Sequence, residues 1–269
     1  MNKIGFCFIV NDNINNISIW EKFFEGNLEK ANIYIHSTHL DNINQDFVKK
    51  YQIKDHTSTK WGNLYDAIKL MYQEAIKNND YKVVLLSDST LPLKSFDFIY
   101  NLLMSNDNTY MYYQDAFPKT QRQKDTLIKS LKRYINNSNR CSKFAYNIDF
   151  RHWFFNETWT ILNNKHMKMI YQDTVILEYL QNGFCLDENY PSYLLSINNE
   201  LSNVHNTKST YVNWEQREHK GNGMYGPKTY NSVTINDIEL FKNKEYLFGR
   251  KFVDNCNISN YIEQLWNIT

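Results

Sequence analysis

The sequence predicts an α/β protein, a single domain on a mixed, mainly parallel central sheet flanked by helices. Ile4–Val10, Ala31–His36 and Tyr81–Leu86 are near-continuous apolar runs of strand length, the pattern of strands buried on both faces. Stretches with apolar residues at helical spacing lie between and after them, as at Leu64, Ala67, Ile68, Met71, Ala75 and Ile76. This alternation implies strands joined by right-handed crossovers, and 269 residues are enough to cover such a sheet on both sides.

Taken in order, the first strand ends at Val10, and after Asn11-Asp12-Asn13 the pairs Ile19-Trp20 and Phe23-Phe24 mark a helix. The second strand runs into the polar Ser37-Thr38-His39, and the third into Ser87-Asp88-Ser89-Thr90, both at strand ends where α/β sheets bind ligands. Trp61-Gly62 precedes the helix over 64–76. A helix over Phe96–Met104 and a short strand over Tyr110–Tyr113 follow. Residues 115–143 are polar and basic and read as a solvated helix with loops. Trp159–Leu162 leads into a helix from Asn164 to about Gln181, capped by Gly183. Pro191 to about Ile197 is another helix, Thr210–Trp214 a strand end, Gly221–Lys228 a flexible loop, and Asp237–Phe241 the start of a helix. Tyr246–Phe252 sets two cations in an aromatic frame.

Composition narrows the function classes. Lys and Arg number 30 against 29 Asp and Glu, so no global field favours nucleic acid, and an anionic ligand needs a local cluster. Cys7, Cys141, Cys185 and Cys256 lack zinc spacing and read as reduced and structural. No apolar run approaches the roughly 20 residues of a membrane span, and Met1-Asn2-Lys3 passes straight into the first strand, so a soluble cytoplasmic protein is expected. The N-x-S/T triplets at Asn16 and Asn156 are then chance in an Asn-rich chain of AT-rich coding bias, with 8 Gly and 4 Pro. No GxGxxG follows the first strand and there is no Walker loop, which removes the usual phosphate cradles.

The adjacent carboxylates Asp187-Glu188, with aromatic neighbours that could exclude water, read two ways. They form either a polar loop ahead of a helix or a site in which one carboxylate takes a proton from a sugar hydroxyl. Trp214 is either core or a stacking face for a sugar ring, and Arg250-Lys251 are either snorkelling surface charges or a ligand's cations.

The ordered set Trp61-Gly62, Leu86-Ser87-Asp88-Ser89-Thr90-Leu91-Pro92-Leu93, Trp159-Thr160-Ile161-Leu162, Cys185-Leu186-Asp187-Glu188, Tyr211-Val212-Asn213-Trp214 and Phe248-Gly249-Arg250-Lys251-Phe252 resembles the core-2/I-branching β-1,6-N-acetylglucosaminyltransferase family, which includes xylosyltransferases and plant members. The resemblance implies a GT-A-like glycosyltransferase fold and an inverting, metal-independent transferase using a UDP-sugar. The chain has no Asp-x-Asp to hold a cation, so no metal or other cofactor is expected. Fixed cations would then stabilise the charge of the departing UDP.

By the same resemblance Glu188 is the catalytic base, and Lys228, Arg250 and Lys251 bind the donor diphosphate. Uridine and donor contacts fall on Val10, Thr38, Trp61, Ser87 and Asp88, and acceptor contacts on Asp187, Trp159 and Trp214. The family has Asp where Thr38 stands and often Arg where Lys228 stands. Residues 1–114 would form a nucleotide-binding half and 115–269 an acceptor-binding and catalytic half. The expected partners are a UDP-sugar, with GlcNAc ahead of xylose or glucose, and a glycan or glycoprotein acceptor. A viral or microbial member is expected. An inactive glycan- or nucleotide-binding protein is the alternative of another class.

Overall fold

The computed structural model describes residues 1–59, 62–116, 125, 149–180, 186–219, 221 and 225–267. Strand β1 (Ile4–Val10) shows why its run is apolar throughout: Phe6, Phe8 and Val10 enter one core, Cys7 and Ile9 the other. Helix α1 (Ile17–Phe24) buries Ile19, Trp20, Phe23 and Phe24 on the first core. Strand β2 (Ala31–Ser37) is followed by α2 (Asp46–Tyr51), a short helix with one buried apolar residue, Val48, which its sequence had not signalled. Helix α3 (Tyr65–Lys77) covers the second core through Ile68, Met71, Tyr72 and Ala75. Strands β3 (Lys82–Ser87) and β4 (Leu91–Pro92) flank the turn at residues 88–90, and α4 (Phe96–Met104) is capped by Ser95, whose hydroxyl accepts from the Phe98 amide.

The second half adds β5 (Thr109–Tyr110), β6 (Tyr113–Asp115), β7 (Phe154–Asn156), β8 (Ile161–Asn163), α5 (Asn164–Gln172), α6 (Val175–Leu180) and α7 (Tyr190–Ile197). Then come β9 (Val204–His205), β10 (Thr210–Val212), β11 (Glu218–His219), β12 (Tyr225–Gly226), α8 (Ile235–Phe241), β13 (Phe248–Arg250) and α9 (Ile262–Trp266). The central sheet has the order β2-β1-β3-β8-β5-β9. Its β2–β1, β1–β3 and β5–β9 pairings are parallel, and β8 runs antiparallel to both neighbours. This is the mixed, mainly parallel, helix-flanked GT-A-like architecture that was expected.

Several expected elements differ in detail. Tyr110–Tyr113 is not one strand, because β5 joins the central sheet while β6 pairs with β7 in a separate ribbon. The expected long helix from Asn164 divides at Asp173, whose carboxylate accepts from the Ile176 and Leu177 amides and so starts a new helix. The expected loop over Gly221–Lys228 contains β12, paired antiparallel with β11. Helix α8 starts at Ile235 because Thr234 and Asp237 form a capping box. Gly183, Cys141, Cys185, Trp61 and nearly all of the basic stretch lie outside the described residues. Cys7 and Cys256 are buried free thiols. Asn16 and Asn156 are buried and hydrogen-bonded, as befits chance triplets. No helix among the described residues is long and apolar enough to cross a membrane.

Candidate active site

Three of the quoted patches become one small sheet of order β10-β13-β4, with Val212 opposite Arg250, Phe248 opposite Pro92 and Gly249 opposite Leu91. Gly249 packs closely here, since a β-carbon there would sit 3.0 Å from Leu93 Cδ1 and the leucine side chain would have to shift. The Phe252 amide donates to the Ser89 carbonyl at 3.0 Å, which ties the cation segment to the turn leaving β3. Segments far apart in sequence thus share one edge because the backbone pairs them.

At that turn Ser87 Oγ lies 2.8 Å from Thr90 Oγ1, so the Ser87 hydroxyl is engaged in shaping the turn. Asp88 is half-buried and its Oδ2 accepts from Asn11 Nδ2 at 3.5 Å. At the ends of β1 and β2, the Val10 carbonyl accepts the Thr38 amide at 3.0 Å while the Val10 side chain sits in the core. Thr38 Oγ1 lies 2.7 Å from Thr59 Oγ1. The expected uridine residues Val10 and Thr38 are therefore adjacent.

The expected acid loop is a single 3-10 turn, Leu186–Glu188, just before α7. The Leu186 amide donates to the Gly62 carbonyl at 2.8 Å, joining this patch to the Trp61-Gly62 patch. Asn156, fully buried, donates through Nδ2 to the Asp187 carbonyl at 3.0 Å, and its Oδ1 accepts from the Ser192 amide at 3.2 Å. Asp187 is 7% exposed, and Thr158 Oγ1 donates to its Oδ2 at 3.3 Å while Oδ1 is buried without a partner. Burial raises its carboxyl above the usual range, partly offset by hydrogen bonds to its backbone and from Thr158. Glu188 is half-buried at the end of the turn. The two carboxylates therefore have different surroundings, with the more open one at the position expected for the base.

Arg250 leaves β13 with its Cζ 4.1 Å from the centroid of the Trp159 ring, a cation–π stack. Burial lowers its guanidinium to about 10, and the nearby Asp88 and Glu157 carboxylates oppose that fall. The group is still charged at neutral pH, in surroundings where a fixed cation attracts an anion strongly. The peptide between Arg250 and Lys251 is cis, and the Lys251 carbonyl accepts from the Tyr230 amide at 2.7 Å. Lys228 belongs to the same corner: its amide donates to the Asn213 carbonyl at 2.9 Å and its ammonium lies 3.6 Å from Asp237 and 4.4 Å from the Tyr230 ring. Trp214 is 43% exposed on the turn that Asn213 Oδ1 forms with the Glu215 and Gln216 amides. An indole presented that way is available to stack on a ligand ring.

The structure thus draws Asp88, Trp159, Asp187, Glu188, Lys228, Arg250 and Lys251 into connected segments, with Val10, Thr38 and Ser87 at the strand ends beside them. Trp61 lies outside the described residues. Asn156, Glu157, Thr158 and Lys208 escaped the sequence reading. Glu157 and Lys208 pair at 3.0 Å, and Lys208 sits 4.6 Å from the Tyr112 ring. The only signal for Asn156, Glu157 and Thr158 was position, directly ahead of the Trp159 patch, and Lys208 had none. Among the described residues no group of three or more His, Cys, Asp or Glu could hold a metal ion.

The family model described as Core-2/I-branching enzyme matches residues 4–243. The chain is also similar to Glycosyltransferase BC10 of Oryza sativa subsp. japonica, 22% identical over 188 residues that span 66% of this chain and 43% of that protein. The chain therefore spans less than half the length of that relative. The matched stretch of the family model ends before β13, so the case for Arg250 and Lys251 rests on how β13 packs.

Proposed function

The chain belongs to the Core-2/I-branching enzyme family of glycosyltransferases, and from that premise we propose that it moves a sugar, GlcNAc in the first instance, from a UDP-sugar to a glycan hydroxyl with inversion and without a metal. Glu188 takes the proton from the acceptor hydroxyl. That oxygen attacks the anomeric carbon from the face opposite UDP, so an α-linked donor gives a β-linked product in one displacement. Arg250, Lys251 and Lys228 stabilise the negative charge that grows on the departing diphosphate. Asp187 and Trp159 line the acceptor side, and Trp214 offers the exposed face for a sugar ring. Residues 1–114 form the nucleotide-binding half and 115–269 the acceptor-binding and catalytic half.

The observation that supports this most is the contact of a half-buried cation with the segment that also touches the acid turn: Arg250 stacks on Trp159, and the preceding Thr158 bonds to Asp187. Such a cation next to a carboxylate-bearing turn suits a departing diphosphate and an activated hydroxyl. UDP-GlcNAc, UDP-xylose and UDP-glucose should be tested by thermal shift, and UDP release measured in EDTA. The expected outcome is a raised melting temperature with at least one donor and undiminished UDP release in EDTA. An absolute Mn²⁺ requirement would contradict the metal-free mechanism. Loss of any response to UDP would favour a scaffold that has given up catalysis.

A further inference from the structure

Between β7 and β8 lie four residues whose successive groups each touch a different component of the site. Glu157 pairs with Lys208 at 3.0 Å. Thr158 Oγ1 donates to Asp187 Oδ2 at 3.3 Å. The Trp159 ring carries the Arg250 guanidinium at 4.1 Å. The Thr160 carbonyl accepts the Leu85 amide at 3.0 Å, which fixes the connector to β3 two residues before Ser87. Its other end is fixed by the Glu157 amide donating to the Tyr112 carbonyl at 3.1 Å and by Asn156, whose side chain holds the Asp187 carbonyl.

Resting on the transferase reading above, we infer that this connector sets the acid turn against the diphosphate cations, with Thr158 and Trp159 as positioning residues for Asp187 and Arg250. Beyond the bond from its own backbone, the Asp187 carboxylate takes a hydrogen bond from Thr158, and Arg250 stacks on Trp159 beside the Asp88 and Glu157 carboxylates. Asp187 Oδ1 and Arg250 Nε are each buried without a hydrogen-bond partner, so the Thr158 hydroxyl and the Trp159 ring contribute directly to orienting these side chains. Because consecutive Cα atoms are about 3.8 Å apart, one dipeptide fixes the offset between acid and cation. Trp159 also shields the guanidinium from water, which strengthens its pull on a diphosphate. Thr158 acts on the acid turn alone, so its loss affects the proton-transfer step; Trp159 acts on the cation, so its loss affects the nucleotide.

The test is a calorimetric titration of the whole chain with UDP beside UDP release from UDP-GlcNAc, UDP-xylose and UDP-glucose, with melting temperatures recorded for each variant. Thr158→Val should keep UDP affinity within about twofold while lowering turnover roughly tenfold or more, and Thr158→Ser should restore most of it. Trp159→Leu should weaken UDP roughly tenfold, and Trp159→Phe, which keeps a ring under the cation, by less. Wild-type turnover in Thr158→Val, wild-type UDP affinity in Trp159→Leu, or a parallel fall of affinity, turnover and melting temperature in both would overturn the assignment and leave the connector as plain scaffold. A wild-type chain that binds no UDP, or releases it from none of the three donors, sinks the transferase reading itself and the positioning roles with it.

Discussion

Asp80 sits at the N-terminal end of β3, fully buried, with Asn32 Nδ2 donating to Oδ1 at 2.6 Å and the Tyr34 hydroxyl to Oδ2 at 2.8 Å. Burial raises its carboxyl to about 6, against those hydrogen bonds and the charge of Lys3. The folded chain therefore binds the proton more tightly than the unfolded one, and between about pH 4 and 6 stability falls as pH rises, by at most about 1.4 kcal/mol per unit from this group. Asp80→Asn should flatten that slope in urea unfolding between those pH values; an unchanged slope would contradict it. At the site, Lys251→Ala should weaken UDP and slow turnover together, each roughly tenfold or more, because one charge meets ground and transition states alike. A titration unaltered by the change would remove Lys251 from the diphosphate site. Arg250 and Asp187 were singled out by the family resemblance, since two cations in an aromatic frame and two adjacent acids ahead of a proline each also read as ordinary surface. Asn156 and Thr158 were not, since a polar residue that bonds across the fold leaves no periodicity in its own neighbourhood.

At the scale of elements, β1 shows how a strand can be read and what reading leaves out. Its apolar run announced burial on both faces, but not that Gly5 lies under Asp80. A β-carbon at Gly5 would be 2.6 Å from Asp80 Oδ2, 3.0 Å from Tyr34 Cε2 and 3.1 Å from Val83 Cγ1. Gly5→Ala should therefore cost about 1–3 kcal/mol by overpacking, read as a lower urea midpoint at unchanged slope. A wild-type midpoint would show that the surroundings give way freely. Long elements with one strong period, such as α3 and β3, matched their expected spans within a residue or two. The break at Asp173 was hidden because apolar residues continue past it, and its cap also receives the Tyr190 hydroxyl at 2.9 Å, a tertiary contact. The β11–β12 pair was hidden because its strands are two residues long and flank a glycine-containing stretch that read as loop.

Across the whole molecule, patches scattered from Gly62 to Phe252 meet through backbone pairing: Gly62 with Leu186, Ser89 with Phe252, Leu85 with Thr160, and β13 between β10 and β4. Fold class and patch order were legible because buried strands and their ends have compositional marks. The three-stranded sheet that joins the cations to the β3 turn was not, because its strands are two or three residues long. The family match and this convergence together direct attention to a single carboxylate. The most direct measurement is therefore turnover and UDP affinity of Glu188→Gln against wild type. The proposed mechanism predicts UDP binding within about twofold of wild type and turnover lower by roughly 10²–10⁴, the contribution of a general base. Wild-type turnover in that variant would contradict the assignment of Glu188 as the group that takes the proton.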